Sequence, residues 1–568
     1  MTRKTLLIKA SLAISVGAIL SKVLGFVREM VIASRFGATS HVDAYVIAQG
    51  LPGLLFAAIG GALGTVVIPL FTAKRIKEGK DRAFRMAGTI WNAVALGALV
   101  VIVFGEIAMP WLVRLVAPGF RGAVFDETIL LGRILMPAAF FTGVGLLARG
   151  MLNSLQHFTV PALADPVQNI IIITTVLTLG RMFGIKGLAA GTLLGMGAQL
   201  FMIWPVLARH GFHPGLRIDW RMPELREIWL LTIPVLVGTG IGTINALVDR
   251  MLASGLPEGN VAAMNYATRI YTLPMVLWGT ALGTALYPTM TEFAAVSDWD
   301  RIAESIRRGL RLAAFGLLPM SAGLIVLSEP ITKLVYERGA FDPQATNLTA
   351  GVMSMYSLGV VAISWRDIIG RAFYALHDTL TPLWTGVLAV AVNIGLNLAL
   401  VGVLGSRGLA LATAIASWIG ALSLAWLLEG KLARADRDGT QALPLRASQA
   451  PLVQQPVQQA GARAARVLDR AFWREVGKSA AATAAMAATV AVFWQQVAVP
   501  RVNSGGTVGV AAWFLADAGL GAATYLVAAL VLGIEDLKLL TEVACRASLR
   551  ARSIGRRSRR PGGDGEVI

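Results

Sequence analysis

The side chains with the greatest chemical reach lie where they are hardest to keep. Lys22, Arg28 and Glu29 fall inside an apolar run near the start of the chain, and Arg269 falls inside a later one. A central Arg or Lys in a membrane helix costs ~2.5–3.5 kcal/mol, so each needs a partner, a route to the interface or a wet cavity. Lys22 and Glu29 are seven residues apart and share a helix face, with Gly25 between them where backbone or ligand can approach. One reading is local pairing, Lys22 with Glu29 or Arg28 with Glu29, or Arg28 snorkelling to the interface. The other is a cationic cavity for an anion, because the planar guanidinium fork gives a phosphate two parallel hydrogen bonds. Asp43 opens the second apolar run. A lone arginine could snorkel; two, in corresponding parts of related halves, suit a shared anion site.

A second constellation is polar and nearly neutral. Asn245, Asp249 and Arg250 end the seventh apolar run, Asn393 and Asn397 lie one turn apart in the eleventh, and Thr413 lies in the twelfth. Asp, Asn and Thr supply hard oxygens that suit a small cation. The same residues also make interhelical hydrogen bonds, worth ~0.6 kcal/mol on average, and spacing alone favours that reading. Arg149 with Asp165, and Arg366, Asp367 and Arg371, read as paired or interfacial groups. Nothing suggests an enzyme: there is no HExxH, no Ser/His/Asp set in a soluble setting and no paired carboxylates beside a nucleophile. The single cysteine, Cys545, excludes an intrachain disulfide and a CxxC metal site. Gly477-Lys478-Ser479 resembles the end of a phosphate-binding loop, but Phe472 stands where that loop needs glycine. No cofactor is expected from these patterns.

The elements that must position these groups are membrane helices. Of 568 residues, 55% are hydrophobic and 15% charged, against roughly 25% charged in soluble domains. Apolar runs of about 20 residues, enough to span the hydrocarbon core, recur from end to end. The sixty glycines fit close helix packing. We expect an all-α polytopic protein of about fourteen transmembrane helices, near 10–34, 43–72, 87–113, 128–152, 160–180, 187–208, 228–254, 262–290, 311–335, 346–374, 382–403, 408–430, 477–499 and 509–534. The start reads as a first membrane helix rather than a cleaved signal, because the apolar run lacks a small-residue cleavage site. The net charge of +18 sits in short loops, which points to topology and anionic headgroups rather than nucleic acid. Basic residues concentrate before the first span and in loops 73–86, 209–227, 291–310 and 431–476 and the tail. This pattern predicts a multi-pass protein of the bacterial cytoplasmic membrane with both termini inside.

Two stretches recur at an offset of about 220 residues, which implies an internal repeat of parallel orientation. Ala62-Leu63-Gly64-Thr65 through Pro69 returns as Ala281-Leu282-Gly283-Thr284 through Pro288, and Gly187-Leu188-Ala189 returns as Gly408-Leu409-Ala410. The expected organisation is two parallel six-helix lobes, 1–215 and 216–430, then a cytoplasmic linker at 431–476. Two C-terminal helices follow at 477–534, with a basic tail at 535–568. Within the linker, 463–475 reads as an interfacial helix with Val467, Leu468, Phe472 and Trp473 toward lipid.

Ser21 through Glu29, Phe36-Gly37, Val42-Asp43-Ala44-Tyr45 and Leu51-Pro52 resemble the opening of the MurJ (MviN) lipid II flippases, of the multidrug/oligosaccharidyl-lipid/polysaccharide exporter superfamily. Asn265 through Arg269, Leu273-Pro274 and Ala281 through Thr284 add to the resemblance, which covers the first twelve spans. It implies a flippase that carries lipid II, the undecaprenyl-pyrophosphate-linked peptidoglycan precursor, to the outer leaflet by alternating access. Arg28 and Arg269 would bind its headgroup, with Lys22, Glu29 and Asp43 beside them. Lys22 stands for a usual Arg, Glu29 for a usual Asp, and Phe56-Ala57 for a usual Arg pair. A family sodium site would fall on Asp249, Asn393, Asn397 and Thr413 with the backbone of Leu409, where Asn397 replaces an Asp. The last two spans would hold the isoprenoid tail. Membrane lipids and other cell-wall synthesis proteins are the remaining expected partners. An exporter of another oligosaccharide lipid and a non-transporting scaffold of the same fold are the alternatives.

Overall fold

A computed structural model describes residues 3–62, 67–215, 218–222, 242–437, 466–502 and 506–537. Several expectations fall outside them: residues 63–66 of the repeat, the first part of the seventh span, most of the linker and the tail beyond 537. The side chains of Phe56 and Ala57 are likewise outside the described set.

The chain is all-α. Among the described residues nine helices are long and apolar enough to cross a membrane, or ten if one bent pair counts as a single span. The described chain gathers into two compact units that interleave along the sequence. One comprises 1–270, 328–356 and 386–416; the other comprises 271–327, 357–385 and 417 onward.

The first unit begins with the long helix Arg3–Phe36. It stops at Gly37, whose φ of +68° is open to glycine, and restarts as Ser40–Ala62. The helices Thr159–Leu177 and Ile185–Arg209 pack closely because Gly187, Gly191 and Gly195 recur one turn apart. A Cβ on Gly191 would run into the Thr175 hydroxyl, and one on Gly195 would lie 3.0 Å from Gln168. An aromatic cluster of Phe71, Phe84, Trp91, Trp204 and Phe212 anchors the core at one end of this unit. The turns near 37, 119, 259 and 339 pack on one another. Gly37 meets Ala340, Gly119 meets Ser254, Gly259 meets Ala38 and Gly339 meets Ser34, each too close for a side chain.

The second unit is built around Trp365, whose indole donates to the Leu310 carbonyl at 3.0 Å. Phe472 packs on Trp365 with ring centroids 5.6 Å apart, and both Val467 and Phe472 are fully buried in this core. This corrects the interfacial-helix expectation: Val467 and Phe472 face protein, Leu468 packs against the same core, and Trp473 is 46% exposed. Nor do the described residues form a separate short helix here. Asp469 accepts from the Phe472 amide and caps a helix, Arg470–Phe493, that runs on into the thirteenth span. Arg311 ties this unit together by reaching Glu535 at 3.0 Å and Asp536 at 3.1 Å.

Candidate functional site

The two arginines picked out by their cost converge on one carboxylate within the first unit. Arg28 donates to Glu29 Oε1 at 2.6 Å, and Arg269 Nε lies 3.4 Å from the same oxygen. The Arg3–Phe36 helix supplies two of these groups and the Asn260–Pro274 helix the third. Arg28 also donates to the Asn169 side-chain oxygen at 3.0 Å, and Asn169 is itself held by donating to the Ser21 carbonyl. Glu29 is buried, while the Arg269 side chain is 44% exposed. Its terminal nitrogens make no hydrogen bond among the described residues. One negative charge therefore stands against two positive ones, and a bidentate donor is left open. Arg250 lies nearby: its guanidinium seats against Gly50 and within electrostatic reach of Arg269, with Asp249 as its own counter-charge. The Arg28–Glu29 pair therefore forms, and with Arg269 on the same carboxylate it leaves one positive charge in excess. Arg28 and Glu29 border a small pocket with Tyr45, Gln49, Asn265 and Tyr266.

The remaining residues expected here are placed differently. Lys22 is exposed and makes no ion pair among the described residues, so the Lys22–Glu29 pair does not form. Asp43 is buried and fully engaged: its two oxygens accept from the Gly259 and Ala262 amides at 2.6 Å each. It caps the helix that carries Arg269, satisfying amides that the first turn leaves unpaired. Its bearing on the arginines is therefore positional. Sequence reading missed Asn169, an uncharged residue whose role depends on a helix far away in the chain. It noted Arg250 but did not connect it with the anion cluster. Arg149 does pair with Asp165, at 2.6 Å, inside a network with Gln199. Arg371 pairs with Asp367 at 3.0 Å.

The polar constellation assembles as well. Asn397 donates to Asp249 Oδ1 at 2.7 Å and to Asn393 Oδ1 at 2.8 Å. Asn393 donates to Thr413 Oγ1 at 3.2 Å, and Thr413 donates to the Leu409 carbonyl at 3.0 Å. Asn393 and Asn397 are buried, and Asn397 Oδ1 has no hydrogen-bond partner. Turning that amide over would bring Oδ1 against the Asp249 and Asn393 oxygens, an arrangement that oxygens tolerate around a cation. The donor set therefore fits a small hard cation, one carboxylate with neutral oxygens around it.

Comparison with known proteins identifies the family. Residues 32–450 match the family model described as "Lipid II flippase MurJ". A Rhizobium tropici protein named "Probable lipid II flippase MurJ" is 32% identical over 430 residues, 74% of this chain and 80% of its own length. A Burkholderia cenocepacia protein named "Lipid II flippase MurJ" is 26% identical over 427 residues, 74% of this chain and 83% of its own. A solved structure of a lipid II flippase MurJ in an inward closed conformation matches with a TM-score of 0.72 at 22% identity, covering 91% of this chain and 98% of that one. An inward-facing multidrug resistance MATE family transporter of the MOP superfamily matches with a TM-score of 0.66 at 14% identity, covering 76% and 100%.

Proposed function

The chain belongs to the lipid II flippase MurJ family, and from that premise we propose that it carries lipid II from the inner to the outer leaflet of the bacterial cytoplasmic membrane during peptidoglycan synthesis. The observation that carries this reading is the shared Glu29 carboxylate, which holds Arg28 and Arg269 together while their positive charge exceeds its own. A pyrophosphate supplies the complementary charge and matches the guanidinium fork. The chemistry is transport: no covalent bond is broken, and the protein's work is to lower the cost of moving a charged headgroup through hydrocarbon.

Both termini and the basic loops face the cytoplasm in this reading. The tightly packed turns near 37, 119, 259 and 339 then lie on the outer side, so Arg28 and Arg269 receive the headgroup from within. Sodium bound by Asp249, Asn393, Asn397, Thr413 and the Leu409 carbonyl would couple an ion gradient to the cycle. The unpartnered Asn397 oxygen supports this role. The membrane potential supplies ~2.3 kcal/mol per charge per 100 mV. The test of the function is rescue of cells depleted of their own lipid II flippase. Growth restored with labelled lipid II reaching the outer leaflet supports the reading; a well-expressed protein that leaves lipid II inside rejects it.

A further inference from the structure

The C-terminal helix Gly506–Val531 carries a carboxyl that the transport site does not use. Asp517 lies near the middle of the apolar span Gly509–Val531, with none of its surface exposed and neither oxygen hydrogen-bonded. It sits on the stripe that this helix turns toward Arg470–Phe493. Val510, Gly521, Tyr525 and Ala529 on the same stripe are buried. On one side of Asp517, Trp513 meets Phe493 with ring centroids 6.2 Å apart. On the other, Gly521 lies so close to Val490 that a Cβ would come within 2.7 Å of its methyl. Asp517 is therefore level with 490–493, just before the facing helix widens into the π-helical turn Trp494–Ala498. Such turns loosen the backbone hydrogen-bond ladder and recur at functional sites.

Among the described residues no charge is placed to neutralise this carboxylate. On the facing helix Arg470, Arg474, Glu475 and Lys478 occupy the first turns, at the far end. On Trp299–Val326 the last charged residue is Arg311, which is committed to Glu535 and Asp536. Arg501 lies over the Trp513 ring at 5.9 Å and donates to the Val497 carbonyl. Tyr525, on the same helix, donates to the Phe315 carbonyl. A cation would need several oxygens around it, whereas Asp517 has no hydrogen-bonding partner among the described residues. Among the described residues, that leaves a proton as the ligand for a single enclosed carboxyl.

We propose that Asp517 is a proton-binding site built into the C-terminal helix pair, neutral while the two helices are packed, and that releasing its proton loosens their contact. The proton goes to water, and the carboxylate left behind must be hydrated, which the packed interface does not permit. Proton binding and helix packing are therefore linked, whichever lipid the transport core carries.

The test is infrared spectroscopy of the full-length protein in lipid vesicles across neutral to alkaline pH, with Asp517→Asn as control and a cysteine pair at Phe493 and Trp513, whose rings face each other, reporting contact. The wild type should show a protonated-carboxyl carbonyl band that is absent from Asp517→Asn and fades as pH rises. Cysteine cross-linking should fall several-fold over the same range and become pH-independent once Asp517→Asn is added to the cysteine pair. Identical carboxyl bands in the two proteins, or cross-linking that varies with pH equally in both, would overturn the proposal.

Discussion

At Glu29 one carboxylate faces two guanidiniums, and that imbalance sets what each substitution should do. Arg28→Lys and Arg269→Lys keep the charge but lose the fork, and a charge-assisted hydrogen bond is worth ~1.5–3 kcal/mol. Each should lower transport by one to two orders of magnitude, while Arg28→Ala and Arg269→Ala should abolish it in protein that still reaches the membrane. Asp43 belongs to a different class. Asp43→Ala leaves the Gly259 and Ala262 amides unpaired, at about 1–3 kcal/mol each. Its unfolding midpoint in detergent should therefore fall well below that of Arg28→Ala; equal midpoints would return Asp43 to the ligand site. For the cation network, Asp249→Asn should remove any sodium dependence of transport, and an unchanged sodium dependence would leave these residues as interhelical hydrogen bonds alone. Arg28 and Arg269 were legible from the chain because charge inside an apolar run has a cost that demands explanation. The same signal marks Asp517, which went unremarked beside the more charged first span. The function of Asp43 was not legible, since its partners lie more than two hundred residues on and only the fold brings them together.

Helices announced themselves through apolar length, but their ends and neighbours did not. The Arg470–Phe493 helix starts before the apolar run because Asp469 caps it, and Phe472 turns inward because Trp365 offers a wall of aromatic surface. Amphipathic spacing alone cannot distinguish such a wall from lipid. The turn before the Leu380–Leu404 helix shows a further tie. Asp378 accepts from Lys431 at 2.6 Å and from the Thr381 amide and hydroxyl at 3.0 and 2.8 Å. Burial pushes the Asp378 carboxyl up, but Lys431 and Thr381 outweigh it and hold the group down at about 2. Because the folded value lies below the unfolded one of about 3.9, this contribution is complete above that pH and fades as pH falls toward about 2. The wild type should thus lose thermal stability over this window faster than Asp378→Asn. Parallel losses in the two proteins would show that the tie contributes nothing.

On the scale of the whole molecule, loop charge makes a claim that the described helices leave open: which face is inside. Lys77 and Ala123 are both exposed and lie between successive expected spans, on opposite expected sides. A cysteine at Lys77 should resist an impermeant thiol reagent in intact cells and one at Ala123 should react; the reverse pattern would invert the topology and put the packed turns on the cytoplasmic face. The membrane class and the family were legible from apolar runs and the opening motif, because both are written in contiguous residues. The two interleaved units were not, because the first draws 328–356 and 386–416 from the later half of the chain. What unites the scales is the claim that a fixed excess of positive charge in the membrane receives the pyrophosphate of lipid II. The most direct measurement is translocation of labelled lipid II across vesicles containing the purified protein or its Arg28→Ala, Arg269→Ala double variant, matched for folded protein. The account predicts robust translocation by the wild type and none above empty vesicles by the double variant. Equal translocation by the two would contradict it.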